Sequence, residues 1–561
     1  MYSPANSEAA LEQRYAIGFD FGTESVRVLA VRISDGRVAA QASSRYASGV
    51  IDDVLPASGA KLPADYALQD PRDWMQSAAA ACKEALKVAG VKPPNVVGIG
   101  VDFTSCTMLP AQANGTPLCL EERFARTPLA WPKLWKHHGA KSQTDRINQV
   151  AQERREPWLA RYGGIIGLEW FFPKVLETLE HAPQVYQATD VWLEAGDWFV
   201  WQLISGPYPH CKETDVPRST CQAGYKAMWN NKTGYPSREY FAAVHPEMAD
   251  VVTSKMPGTL VAPGNRAGRL TARAAELLGL EAQIPVSAAI IDAHAGVPGA
   301  GVAADSTMVL VMGTSSCHMM NSKVERLAPG IAGVVEDGIL PGYFGYETGQ
   351  ASVGDAFAWL VDTFQLSHER MAQRAAALPP GSGGVLALDW FNGCRTPLMD
   401  GRLSGSFIGL TLGTKPEQLY RALLEATAFG LRWIVQLLRE AGVPVERFVA
   451  SGGLPAKSPL LMQVYADVLG DQIKLAESEN SVALGAAILG CLAAGVESTG
   501  HASMEAAIRA MARQRSEPVY RPRAEAQSQY DKLYALYRAA GECDGVLART
   551  MRELRNFATT A

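Results

Sequence analysis

A four-residue string returns once in this chain with one residue changed, and it constrains the architecture more than any other feature. Gly22-Thr23-Glu24-Ser25 aligns, at three of its four positions, with Gly313-Thr314-Ser315-Ser316, 291 positions later, and each copy joins two apolar runs. In the first, YAIGFDFG (15–22) leads into VRVLAVRI (26–33); the second lies in STMVLVMGTSSCHMM (306–320). Both read as strand, tight turn, strand. The glycine of the first joint is expected to supply a positive φ and a close backbone approach. One such match is weak by itself. Its place at the start of each half of the 561-residue chain argues for two equivalent units. No low-complexity linker separates them, and the boundary is placed near residue 300, giving units 1–300 and 301–561.

Strands and helices alternate within each unit. Residues 1–13 read as a loose tail. DPRDWMQSAAAACKEALKVAG (70–90) reads as a helix closed by Gly90, and VVGIGVDFT (96–104) as a buried strand. That succession implies an α/β chain with a parallel sheet covered on both faces. The stretch from about 110 to 260 differs: eight of the twelve tryptophans fall there, at 131, 135, 158, 170, 192, 198, 201 and 229. It reads as a helical elaboration on the first unit and a wall for a substrate cleft. VSAAIIDAH (286–294) resumes the buried-strand pattern. In the second half, a helix (415–442), a strand ending in a Gly-Gly turn (447–453), a helix (458–470) and a strand (473–477) lead to a small-residue helix (482–495) and a charged helical tail (517–561).

Composition excludes several function classes. With 47% hydrophobic and 19% charged residues the chain has the make-up of an ordinary globular protein. The formal charge of −5 offers no basic excess for nucleic acid or an anionic membrane. The nine cysteines are odd in number and show no C-x-x-C spacing, which fits free thiols in a cytoplasmic protein better than disulfides or a zinc ribbon. The start MYSPANSEAALEQRY lacks the pattern of a signal peptide. VALGAAILGCLAAG (482–495) is too short to span a bilayer and reads as a buried helix.

Common nucleotide motifs fail. Ser451 and Ala456 stand where a P-loop requires glycine, and the string Gly98-Ile99-Gly100-Val101-Asp102-Phe103 lacks the third glycine of a dinucleotide fingerprint. What survives is a different constellation. Asp20 and Asp292 end apolar strands, where a carboxylate faces the ligand crevice of a parallel sheet. Asp20 precedes a Gly-Thr turn whose N–H groups can meet phosphate oxygens, and the turn at Gly313 can grip from the opposite side. Ser451-Gly452-Gly453 leaves a strand with the flat backbone an adenine and ribose can lie on.

In this order, the chain resembles the FGGY carbohydrate kinases from about Tyr15 to about Gly500. Among their branches it is most similar to the L-ribulokinases, through VGIGVDFTSCT (97–107), GLEWFFPKVLETL (167–179), STCQAGYKAMW (219–229), IIDAHAG (290–296), MGTSSCHM (312–319), YETGQASVGDAFAWL (346–360) and LDWFNGCRTP (388–397). The resemblance implies a duplicated actin-like (ribonuclease H-like) ATPase fold of two lobes around a cleft. It implies phosphorylation of the 5-hydroxyl of L-ribulose by ATP in L-arabinose breakdown, with no nucleic-acid or membrane partner and a possible homodimer. Asp292 then matches the general base. Ser105, Lys226 and Glu347, with Asp292, match sugar-binding positions. Asp20 matches the Mg²⁺ carboxylate, and Gly22, Thr23, Gly313, Thr314, Ser315, Gly452 and Gly453 match nucleotide-binding turns. After Gly453 the chain reads LPAKSP, where relatives carry a more polar segment, so no adenosine contact is assigned beyond it. Glu24 is given no role. Two other readings stay open: a kinase of the same family for another ketose or polyol (D-ribulose, ribitol, xylulose), and a non-catalytic sugar- or nucleotide-binding regulator.

Overall fold

The computed structural model describes residues 13–560, so the expected tail falls outside it except for its last residue. Strands β1 (Tyr15–Phe21), β2 (Ser25–Arg32) and β3 (Val38–Arg45) form an antiparallel meander. Helix α1 (Pro71–Ala89) then crosses to β4 (Val96–Phe103), which lies parallel to β1. α1 starts where Asp70 accepts a hydrogen bond from the Arg72 N–H and stops where Gly90 turns left-handed at φ 62°. The segment between β4 and the rest of the sheet holds the short helices α2 (Phe171–His181), α3 (Ala195–Ser205) and α4 (Thr220–Lys226). Its tryptophans are buried apart from Trp135, which is 42% exposed. β5 (Arg266–Arg269), β6 (Pro285–Ser287) and β7 (Ile290–Ile291) complete the sheet in the order β5-β6-β4-β1-β2-β3, with β7 also on β4.

The single strand expected at 286–294 is a correction. The chain makes two short strands, and α5 (Asp292–Gly299) begins at Asp292. The run is apolar throughout, so periodicity could not separate a buried strand from a buried helix.

The second sheet repeats the plan. β8 (Thr307–Met312), β9 (Ser316–Ser322) and β11 (Phe344–Gln350) form the meander, with β10 (Gly333–Glu336) on its edge. Helices α6 (Gly354–Thr363) and α7 (Pro416–Glu440) precede β12 (Arg447–Ser451), which lies parallel to β8. After α8 (Gly453–Lys457) and α9 (Pro459–Leu469), β13 (Ile473–Leu475) is parallel to β12. The order is β10-β11-β9-β8-β12-β13. In each sheet a strand carries a hairpin partner on one side and a parallel partner on the other, and the repeated Gly-Thr string is the hairpin turn of both.

Helix α10 (Ser481–Ala494) joins the two halves. It follows the second sheet in sequence yet packs on β1 and β4 of the first, and on α5. Backbone contact requires small residues on both sides: a Cβ at Gly100 of β4 would stand 1.8 Å from the Ala486 carbonyl, and one at Gly485 of α10 would stand 1.8 Å from that of Ala295. Among the described residues no single helix is long and apolar enough to cross a membrane. The cysteines are free, seven of them buried, with Cys317 partly buried and Cys543 exposed.

Candidate active site

Three neighbouring parallel strands end in carboxylates. β1 and β4 pair with Asp20 beside Asp102, and β7 pairs with β4 so that Ile290 lies beside Asp102 and Ile291 beside Phe103. Asp292 follows at once, as the first residue of α5. Residues in register on adjacent parallel strands face the same side. On the opposite side Phe21 stacks on Phe103 with centroids 4.6 Å apart, closing the core beneath the carboxylates.

The three acids differ in environment. Asp20 accepts a hydrogen bond from Arg27 Nη1 at 2.9 Å, and burial outweighs that cation to raise its pKa. Asp102 is fully buried; no N–H or hydroxyl donates to either of its oxygens, and its side chain instead makes hydrogen-bond contact with the carboxyl of Asp20. Burial pushes it well up, reinforced by the charges of Asp20 and Asp292. Asp292 is pushed up to about 7 by burial, with Asp20 and Glu347 adding repulsion against the Ala293 N–H and Lys226. Its Oδ1 accepts from that N–H at 2.8 Å. A carboxylate poised near neutrality is suited to proton transfer at physiological pH.

Across from Asp292 lies a buried ion pair. Lys226, the last residue of α4, donates to both oxygens of Glu347 on β11, at 2.9 and 3.0 Å. The ammonium also sits 5.6 Å from the Trp170 ring centre. His294, the third residue of α5, places Nε2 3.4 Å from Glu347 Oε2. Burial opposes charge on both members of the pair, yet the partner wins: Lys226 is raised above its usual range, and Glu347 is held well below. Lys226 and Glu347 are 121 residues apart and come from different sheets' territories, so the pair ties the insertion to the second sheet. Ser105 stands in the loop after β4 next to Cys106, which has a strained φ of 57°. The loop is held by Lys174, whose ammonium donates to the Cys106 and Leu134 carbonyls at 2.8 Å.

The glycine turns separate into two groups. In the first, Gly22 N–H donates to the Ser25 carbonyl at 3.0 Å, and Gln69 and Trp135 donate to the Thr23 carbonyl and hydroxyl at 2.7 and 3.1 Å. Gly22 does not take the positive φ expected of it. A two-residue joint closed by that single hydrogen bond needs no left-handed residue at its first position. In the second group, Gly313 N–H donates to the Ser315 carbonyl at 2.9 Å, while the Thr314 carbonyl accepts from the Val353 and Asp355 N–H groups at the start of α6. The pairing of Val311 with Ser451 brings Gly452 beside this turn. Gly452 has φ 96°, and a Cβ there would stand 2.5 Å from the Met312 carbonyl oxygen. Gly452→Ala is therefore expected to destabilise the protein by about 1–3 kcal/mol. Gly453→Ala, with nothing within 4 Å of its Cβ, should leave thermal stability unchanged. Thermal unfolding of the two variants checks this.

Sequence reasoning missed Asp102. It was legible only as part of an apolar strand, and its significance depends on the register that sets it beside Asp20. Among the described residues no group of three or more His, Cys, Asp or Glu forms a ready-made metal site. One or two carboxylates plus phosphate oxygens and water are what Mg²⁺ takes, and the oxygens of Asp102 beside Asp20 fit that donor set.

Known proteins resemble this arrangement. The N-terminal domain of the FGGY family of carbohydrate kinases matches residues 15–299, and its C-terminal domain matches residues 308–494. A ribulokinase of Shouchella clausii is 44% identical over 97% of this chain and 99% of its own. Among solved structures, a xylulose kinase from Rhodospirillum rubrum superposes with a TM-score of 0.74 at 24% identity, covering 94% of this chain and 98% of that one. A Plasmodium falciparum glycerol kinase with ADP gives 0.74 at 17% identity, covering 94% and 98%. These likenesses establish the duplicated actin-like fold for the chain.

Proposed function

The chain belongs to the FGGY family of carbohydrate kinases, and on that premise we propose that it is an ATP-dependent ribulokinase acting on the 5-hydroxyl of L-ribulose. The observation that supports this reading most is Asp292, poised near neutrality beside a buried Lys226–Glu347 pair. The ribulokinase name of a relative 44% identical over nearly the full length points the same way.

In this mechanism Asp292 accepts the proton of the sugar hydroxyl as its oxygen attacks the γ-phosphorus in line, and ADP leaves. Lys226 and Glu347 orient the polyol, with Ser105 on the facing loop. A site built to bond hydroxyls rejects sugars that lack them, because its polar groups are then left unpaired. The turns at Gly22-Thr23 and Gly313-Thr314-Ser315 meet phosphate through N–H groups other than those of Gly22 and Gly313, which close the turns on the Ser25 and Ser315 carbonyls, and Gly452-Gly453 carries the nucleoside. Asp20 would hold Mg²⁺, which when bound would supply neutralisation of charge on the phosphates. Catalysis is mostly positioning and electrostatics, so closure of the two units, 1–300 and 301–561, around the ligands would exclude competing water. A cytoplasmic location belongs to the same reading, supported by the free thiols.

The test is a coupled ADP-release assay with MgATP across L-ribulose, D-ribulose, L- and D-xylulose, ribitol and glycerol. The highest kcat/KM is expected on L-ribulose, with ATP hydrolysis low when sugar is absent. Preference for another sugar would overturn the substrate assignment. Equal ATP turnover with and without sugar would overturn the kinase reading.

A further inference from the structure

We propose that Asp102 is the second carboxylate of the divalent-cation site, backing Asp20 from the next strand. The inference deepens the kinase reading and rests on it for the identity of the nucleotide that accompanies the cation.

Three observations lead there. The pairing of β1 with β4 sets Asp102 in register with Asp20, on the same face of the sheet. That face is covered by α10 at Gly18 and Gly100, where no side chain fits, and the two acids stand two residues further along each strand. They therefore lie beyond the tight contact, at the strand ends that face the crevice. Asp20 retains 13% side-chain exposure there, while Asp102 has none.

The second observation is the missing donor. Buried carboxylates are almost always hydrogen-bonded, and an unmet one is costly. No N–H or hydroxyl donates to either buried oxygen of Asp102, a condition Glu194 shares, whereas Asp389 and Asp467 are bonded by tyrosine, glutamine or arginine. What meets the Asp102 side chain is the carboxyl of Asp20, and two carboxyls in contact are held together by a shared proton or a shared cation. The third is charge. Asp20, Asp102 and Asp292 approach one another, and the cation bonded among them is Arg27, which engages only one oxygen of Asp20. A hard divalent cation meeting phosphate oxygens on its open side would satisfy both the Asp102 oxygens and the surplus negative charge.

The experiment uses Mn²⁺ as the probe, titrated into the full chain and followed by electron paramagnetic resonance of the free ion, with and without ADP. Wild type, Asp102→Asn and Asp20→Asn are compared, and ADP affinity is measured in parallel in EDTA. Asp102→Asn should weaken Mn²⁺ binding by about 10- to 100-fold, with ADP affinity in EDTA unchanged. Its melting temperature in EDTA should equal or exceed that of wild type, because a like-charge contact is removed. Should that variant not fold, Asp102→Ser is read in the same way. Mn²⁺ affinity equal to wild type in the folded variant overturns the proposal, as does a wild type that binds no Mn²⁺ under either condition. Loss of Mn²⁺ binding in a protein that phosphorylates none of the sugars would keep the cation site and remove only the assigned reaction.

Discussion

Asp292→Asn is expected to lower kcat by ~10²–10⁴-fold, the usual contribution of a positioned general base, while sugar KM changes little. Asparagine keeps the shape and the acceptor toward the Ala293 N–H but cannot take a proton. In the unsubstituted protein kcat/KM should rise about tenfold per pH unit below the pKa of the base and level off above it, with the bend near the value of about 7 held by Asp292. The variant should lose that bend. Stability moves the other way. The pKa of Asp292 is higher folded than the ordinary 3.8 of an aspartate, so its contribution to folding is present at low pH and is lost as pH rises towards 7. Asp292→Asn is therefore expected to melt higher than wild type at pH 8 and no higher at pH 4. A pH-rate profile and paired melting curves check both statements, and an unchanged kcat would remove Asp292 from the chemistry.

Glu347→Gln is expected to raise sugar KM by about 10- to 100-fold, the loss of charge-assisted hydrogen bonds, and to destabilise the fold by about 3–5 kcal/mol because it leaves Lys226 buried without its counter-charge. The pH dependence follows from the two shifts. Glu347 is held below its ordinary 4.5, so its contribution is complete above that value and fades only as the medium becomes strongly acid. Lys226 is raised above its ordinary 10.5, so its share persists up to that value and is lost only above it. Between those limits the pair should be indifferent to pH. Replacing both partners by apolar residues, Lys226→Met with Glu347→Leu, should recover much of the lost stability and none of the sugar affinity. Denaturant unfolding and KM measurements on the single and double variants separate a polyol-binding pair from a merely structural one.

The duplication was legible in the chain itself, because a Gly-Thr turn between apolar strands is a local device with a fixed period. The same holds for α1, whose Asp70 and Gly90 ends are written in neighbouring residues, and for α10, whose glycines and alanines announce backbone contact. Asp20 and Asp292 could be picked out because each closes an apolar run. The helix beginning at Asp292 could not, since an apolar stretch looks alike as strand or helix when all sides are buried. The absence of a positive φ at Gly22 was equally invisible, because a glycine records permission for that conformation and not its use. Register decided the rest. Only the pairing of β1 with β4 puts Asp102 beside Asp20, and only the meeting of α4 with β11 brings Lys226 within 2.9 Å of Glu347, 121 positions away. Local chemistry, periodicity and turn residues are properties of short segments, so the sequence alone determined the repeated strand-turn-strand units and the candidate carboxylates at their ends. Proximity between segments, burial and the electrostatics that follow from them exist only once the sheets are assembled, so the tertiary structure alone decided which carboxylate is raised, which is paired with a cation and which meets only another acid.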